Sequence, residues 1–275
     1  MFWATPLILL YAIMYITSPL QLPKKPQRII SLVPSQTELL FDLGLDDEVA
    51  GITKFCIHPE AWFRSKKRIG GTKNINVQEI IALQPDLILA NREENVKEQV
   101  DELAKYFPVY VSDVSNYEEA LEMIAAVGSL THTTEKATNL ISQIKTAFVR
   151  LAAQDYPKLR TAYLIWKDPY MTIGSDTFIH DLMEKSGLIN IYADEKRYPQ
   201  LTASALSAKK PELVLLSSEP YPFKQKHIEE LQAYLPEAKI ILADGEMFSW
   251  YGSRMLKAPA YLQKMREEIK QHNSF

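Results

Sequence analysis

The 275-residue sequence predicts an α/β fold built as two lobes of one architecture joined by a single long helix. Three observations predict it. Between Thr134 and Gln154, the residues Ala137, Leu140, Ile141, Ile144, Ala147, Phe148 and Leu151 recur at three- and four-residue spacing, with Lys136, Asn139, Gln143, Lys145 and Arg150 opposite them. That is the pattern of an amphipathic helix. It runs about twenty residues without Gly or Pro, roughly 30 Å at 1.5 Å per residue. The elements before this helix recur after it in the same order. Finally, the expected strands are short and almost continuously apolar, as strands of a parallel sheet covered on both faces are.

In order, the chain opens with a distinct segment, residues 1–19, whose run from Leu7 to Ile16 is apolar. The run is long enough for the hydrophobic part of an export signal and shorter than the roughly 20 residues that span a bilayer. No Lys or Arg precedes it and no small-x-small cleavage pattern follows, so a segment packed on the first lobe is the alternative reading. The first lobe is expected over 20–132, after a proline-rich lead-in over 20–27. Its first strand covers 28–33, with Ile29, Ile30, Leu32 and Val33 buried. Ser35-Gln-Thr-Glu38 then reads as a capping box opening a helix that ends at Gly44-Leu45.

The linking helix is expected over 133–154 and the second lobe over 155–275. A strand at 161–166 answers the strand at 28–33, and a helix starting near Asp176 stops at Gly187-Leu188 as its counterpart stops at Gly44-Leu45. The stretch 81–90 is matched by 207–216, which sets Pro85 opposite Pro211, and a third pair of strands falls at 109–113 and 239–244. A charged helix over 261–270 closes the chain. No Gly or Pro interrupts the linking helix, so the lobes are expected to move little relative to each other.

Composition excludes one class of partner. A net charge of -3 offers no basic footprint for nucleic acid. Cys56 is the only cysteine and cannot form an internal disulfide. The chain lacks a Gly-x-Ser-x-Gly elbow, a His-Glu-x-x-His motif and a glycine-rich nucleotide loop. The carboxylates Asp244, Glu246 and Glu219 leave one enzymatic alternative, a two-lobed glycosyltransferase-like cleft.

Candidate binding residues cluster in loops after expected strands. The loop 54–62 carries Phe55, His58 and Trp62, and aromatic side chains there can wall a ligand pocket or cover the core. No second ligand stands at metal-binding spacing from His58, so no structural metal site is expected. Phe248, Trp250 and Tyr251 fall within four residues in 244–254, and their Gly, Ser and Arg neighbours favour a pocket. Arg254 can pair with Glu246 or Glu219, or meet an acidic ligand group.

Two stretches, Arg28-Ile-Ile-Ser-Leu-Val-Pro-Ser-Gln-Thr-Glu-Leu-Leu with Asp42-Leu-Gly-Leu45, and Ile80-Ile-Ala-Leu-Gln-Pro-Asp-Leu-Ile-Leu-Ala90, carry a family resemblance. The sequence resembles the helical-backbone substrate-binding proteins of ABC importers for cobalamin, haem and ferric siderophores, with the cobalamin branch the nearest. The likeness runs from Arg28 to about Tyr261. It implies two Rossmann-like lobes with the ligand in the cleft between them, no enzymatic activity, no intrinsic cofactor, a monomer, and a membrane permease as partner. It also implies export to the periplasm or membrane surface, with a cytoplasmic carrier as the alternative. Cobalamin is the ligand the resemblance favours; haem or a ferric siderophore reached by His58 or Tyr198 is the alternative.

Carried over by position, the resemblance puts Phe55 and His58 on the first-lobe wall and Asn91 where the family has an aromatic residue. In the second lobe it points to Trp166, Tyr170, Tyr198 and Glu246. The acidic residues that the family offers to the permease align with Gln78, next to Glu79, and with Ser204. Glu79 is thus the one expected docking acid.

Overall fold

The computed structural model describes residues 14–16, 22 and 24–271. They fall into two compact units, one of the described residues up to Asp113 with 129–132, the other of 114–128 with 133–271. Of the N-terminal segment expected as a signal or a packed piece, residues 1–13 and 17–19 lie outside the described residues.

The first unit holds β1 (Tyr15–Ile16), β2 (Ile29–Ser31), α1 (Pro34–Asp42), β3 (Val49–Ile52), α2 (Glu60–Ser65) and β4 (Lys67–Arg68). It continues with α3 (Val77–Leu83), β5 (Leu87–Asn91), α4 (Lys97–Ala104) and β6 (Val109–Ser112). Its strands form one parallel sheet in the order β1-β6-β5-β2-β3-β4. Ile30, Leu32, Ile88, Ala90 and Val109 are buried in it with Val100 and Leu103 of α4. Ile29, Leu87 and Leu89, which alternate with them along β2 and β5, are fully buried as well, so these strands are covered on both faces as their unbroken apolar runs imply.

The start of α1 corrects the expected capping box. Pro34 is the first helical residue, Val33 is the cap, and no side chain caps the helix, so Ser35 lies inside the first turn. Proline suits that place because its missing N–H would have had no helical partner and its φ is already helical.

The second unit holds α5 (Tyr117–Leu130, whose last residues group with the first unit), α6 (Thr134–Ala152), β7 (Leu159–Leu164), β8 (Tyr170–Met171), α7 (Phe178–Lys185) and β9 (Leu188–Asn190). Then come β10 (Gln200–Leu201), α8 (Ala203–Ala208), β11 (Leu213–Ser217), α9 (Gln225–Gln232), β12 (Lys239–Ala243), α10 (Glu246–Ser249), a 3-10 turn (Ser253–Leu256) and α11 (Ala258–Gln271). The parallel sheet runs β12-β11-β7-β9, and β8 pairs antiparallel with β10 as a separate ribbon. With β7 standing for β2, β11 for β5, β12 for β6 and β9 for β3, the strand order is that of the first sheet. The repeat seen in the sequence is therefore a repeat of topology.

Two features of the sequence are confirmed in detail. Gly44 (φ +78°) and Gly187 (φ +73°) both take the left-handed conformation just past α1 and α7, where a side chain would be strained. The long helix α6 buries Ala137, Ile144, Phe148 and Leu151 and exposes Lys136, Asn139, Gln143 and Arg150. Its buried face packs on α7, α11 and the 3-10 turn of its own unit.

Candidate functional site

In both units the loops that follow the strands collect at the carboxyl edge of a parallel sheet, where open α/β folds bind ligands. In the first unit, the loop after β3 alternates. Phe55 and Ile57 are 51% and 43% exposed, while Cys56 between them is fully buried. The Cys56 thiol lies 3.1 Å from the hydroxyls of both Thr37 and Thr53, and burial pushes its pKa up. The thiol is an anchor under the loop, and it leaves the Phe55 ring facing out over Gly71 with the Lys54 ammonium 5.1 Å from the ring centre. His58 follows, half-buried.

Trp62 and Asn91 turn the other way. Trp62 is buried in its unit: its indole N–H donates to Asp46 Oδ1 at 2.8 Å, Phe41 meets it edge-on at 5.4 Å, and Lys66 lies 5.3 Å away. Asn91 donates to Ser112 O and Oγ at 3.0 and 3.1 Å and accepts the N–H groups of Glu93 and Glu94. Its amide shapes the loop after β5 from within, and a position expected on the wall supports the wall instead. Asn95 extends this support by donating to Leu32 O and Thr72 O. Glu79 stands elsewhere, on α3, where Asn76 caps the helix and Lys67 pairs with the carboxylate at 2.7 Å.

In the second unit, Trp166 and Tyr170 occupy a hairpin in which Ile165 N donates to Met171 O and Met171 N donates to Trp166 O. Lys167 at its turn pairs with Glu230 on α9. Tyr198 lies two residues ahead of β10, which pairs with β8, and Thr172 N donates to Pro199 O at 3.0 Å, so the segment that carries Tyr198 runs beside the one that carries Tyr170. Trp166 is 40% exposed and meets Tyr221 edge-on at 5.6 Å. Behind Tyr221 stand Phe223 at 4.8 Å and His227 at 5.5 Å. His227 Nδ1 accepts the N–H of Lys224 at 2.8 Å, so its own proton sits on Nε2, facing the Tyr221 hydroxyl at 3.4 Å.

The loop after β12 brings Glu246, Trp250 and Arg254 together. Arg254 Nη1 lies 2.8 Å from Glu246 Oε2, both side chains largely buried, and the guanidinium sits 4.9 Å from the Trp250 ring centre. Of the partners that the sequence left open, this pairing is Arg254 with Glu246. Phe248 points beneath them, fully buried against Tyr163 at 5.0 Å and Tyr261 at 6.3 Å. Trp250 is held by a residue that sequence reasoning missed as an anchor. Glu219 Oε1 accepts from Trp250 Nε1 at 2.9 Å and Ser249 Oγ at 2.7 Å, tying the loop after β12 to the loop after β11. Gly245 makes that approach feasible, since a Cβ there would stand 2.6 Å from Glu219 Cγ. Tyr221, Glu219 and His227 carried one sequence signal, their place in or just after the loop that follows β11.

Among the described residues no group of His, Cys, Asp or Glu could hold a metal ion, and no helix is long and apolar enough to cross a membrane. Two repeated parallel sheets with aromatic loops at their carboxyl edges define a small-molecule binding protein. The chain belongs to the periplasmic binding protein family, whose profile matches residues 29–239, and it is a substrate-binding protein of the ABC-importer type. It is 27% identical over 267 residues to a vitamin B12-binding protein of Yersinia pseudotuberculosis, covering 94% of this chain and 93% of that one. Among solved structures it resembles the periplasmic vitamin B12 binding protein BtuF of Vibrio cholerae (TM-score 0.78, 22% identity, 90% of this chain and 99% of that one). It also resembles the periplasmic heme-binding protein RhuT of Roseiflexus (TM-score 0.74, 19% identity, 88% and 98%). These structural likenesses establish the fold.

Proposed function

We propose that the protein binds cobalamin or a related metal chelate and delivers it to the permease of an ABC importer. The observation that carries this reading is the pair of open rings at the strand ends, Phe55 in the first unit and Trp166 in the second. Flat apolar side chains give a planar macrocycle large contact area at low entropy cost. The name of the Yersinia relative supports cobalamin. Phe55, His58, Trp166, Tyr170 and Tyr198 are the contact residues in this reading, with Tyr221 beside Trp166. Trp62, Asn91, Phe248, Trp250 and the Glu246–Arg254 pair hold the loops that present them.

Haem is the second reading, favoured by His58 on the same loop as Phe55 and by the name of the Roseiflexus neighbour. A chelated iron already has equatorial nitrogens and needs only an axial donor. The protein acts as an exported monomer, and Glu79 is its docking acid, since charge pairs set register and on-rate at such encounters.

Titration of the purified protein with cyanocobalamin, haemin and a ferric catecholate, followed by visible absorbance and tryptophan quenching, tests the reading. Cyanocobalamin binding that weakens on Trp166→Ala by about 1 to 3 kcal/mol supports it. Binding of haemin alone moves the assignment to the second reading, and binding of none of the three refutes both.

A further inference from the structure

The described part of the N-terminal segment is a component of the first unit. Tyr15 and Ile16 form β1, in parallel register with Val109 and Tyr110 of β6. Just ahead of that pairing Met14 N donates to Ala104 O at 2.7 Å and Val109 N donates to Met14 O at 2.9 Å. Both side chains are engaged as well. Ile16 is 7% exposed, and Tyr15 packs on the core made by Val100, Leu103 and Val109 while its hydroxyl donates to Asp101 on α4. Burial and the Asp101 carboxylate raise the Tyr15 pKa, so the phenol stays neutral and keeps its proton in that hydrogen bond. Lys97 lies 2.5 Å from the same carboxylate and holds it ionised.

The residues that make this strand are the last of the apolar run from Leu7 to Ile16, the run that reads as the core of an export signal. One residue cannot serve both ends: a signal cut off after the run takes β1 with it. Removing β1 turns β6 into the edge of the sheet, with the Val109 N–H and its neighbours open to other chains. We propose that the working protein keeps residues 14–16 as the edge strand of its first unit, so that any cleavage of a leader falls ahead of Met14. The apolar stretch available to such a leader is then Leu7 to Ile13, seven residues, at the lower limit of about 7 to 15 for a signal core. This inference concerns maturation and folding, and it does not depend on which ligand is bound.

The test starts from the full chain expressed in cells and purified, with the N-terminus read by intact mass and terminal peptide sequencing. A terminus at Met14 or earlier is expected; one at Tyr15 or later overturns the proposal. Two full-length variants give an independent reading. Ile16→Asp places a charge in the core and should lower the melting temperature by about 5 to 10 °C, and Tyr15→Phe, which removes only the bond to Asp101, by about 2 to 5 °C. Hydrogen exchange over residues 105–112 should be slow at Val109 in the wild type and at least tenfold faster in Ile16→Asp. Tyr15→Phe keeps the question open to refutation if Ile16→Asp does not fold. Wild-type melting of Tyr15→Phe, together with fast exchange at Val109 in the unaltered chain, overturns the strand assignment.

Discussion

Glu219→Ala is the perturbation with the most to say about how the second unit shapes its binding loops. The carboxylate is half-buried and its Oε1 accepts two hydrogen bonds, from the indole N–H of Trp250 at 2.9 Å and from the Ser249 hydroxyl at 2.7 Å. Ser249 has a fallback, because its Oγ also lies 2.9 Å from Gly245 O. The cost therefore concentrates on Trp250, which is 8% exposed and loses a charged acceptor. Hydrogen bonds to charged groups contribute about 1.5 to 3 kcal/mol, and partial exposure of Glu219 argues for the middle of that range, about 2 kcal/mol. At about 2 to 4 °C per kcal/mol for a chain of this size, the melting temperature should fall by about 4 to 8 °C. Glu219→Gln retains an acceptor oxygen without charge and should lose about half as much. Thermal melts give the magnitude, and the indole N–H resonance of Trp250 in a 15N-labelled sample reports the bond itself. A Glu219→Ala protein that melts within 1 °C of wild type, with the Trp250 resonance unmoved, would refute the assignment of Glu219 as the anchor.

Gly245→Ala should reproduce that loss without touching the carboxylate, because the new Cβ would stand 2.5 Å from Ser217 Oγ and 2.6 Å from Glu219 Cγ; overpacking of this kind costs about 1 to 3 kcal/mol by denaturant unfolding. Glu246→Ala should destabilise by about 3 kcal/mol, since it leaves the buried Arg254 guanidinium without its carboxylate, while Glu246→Gln retains a hydrogen bond and should lose less. Acid should weaken the second unit through His227. Its burial, reinforced by Lys167, lowers its pKa, and its Nδ1 must stay unprotonated to accept from Lys224. The stabilisation from a neutral His227 is thus complete above the ordinary histidine pKa of about 6.5 and is lost as the pH falls through the lowered folded value. Melting curves from pH 8 to pH 5 should show this, and the gap between wild type and His227→Asn should narrow as the pH falls; a constant gap argues against it.

The secondary structure was legible because its signals are local. The stripe of α6, the buried runs of β2, β5, β7 and β11, and the glycines that end α1 and α7 depend on periodicity and backbone sterics that any short window reveals. At the start of α1 a local pattern misleads: Ser35-Gln-Thr-Glu38 satisfies a capping box, while Pro34 just before it competes for the first helical place and takes it.

The sequence by itself determined two α/β halves with repeated order, loops at the strand ends rich in aromatic residues, and a long helix with one apolar face. Only the tertiary structure decided which of those aromatic residues look outward. Phe55 and Trp62 stand seven residues apart in similar company, yet one is half exposed and the other is closed in by Phe41, Asp46 and Lys66. The same holds for Asn91, whose amide is drawn inward by Ser112, 21 residues further along, and for Glu219, whose partners lie 30 and 31 residues away. It holds for Tyr15, fixed by Asp101, 86 residues on. A side chain's direction is set by the partners that the fold brings to it, and those partners lie beyond the reach of local periodicity.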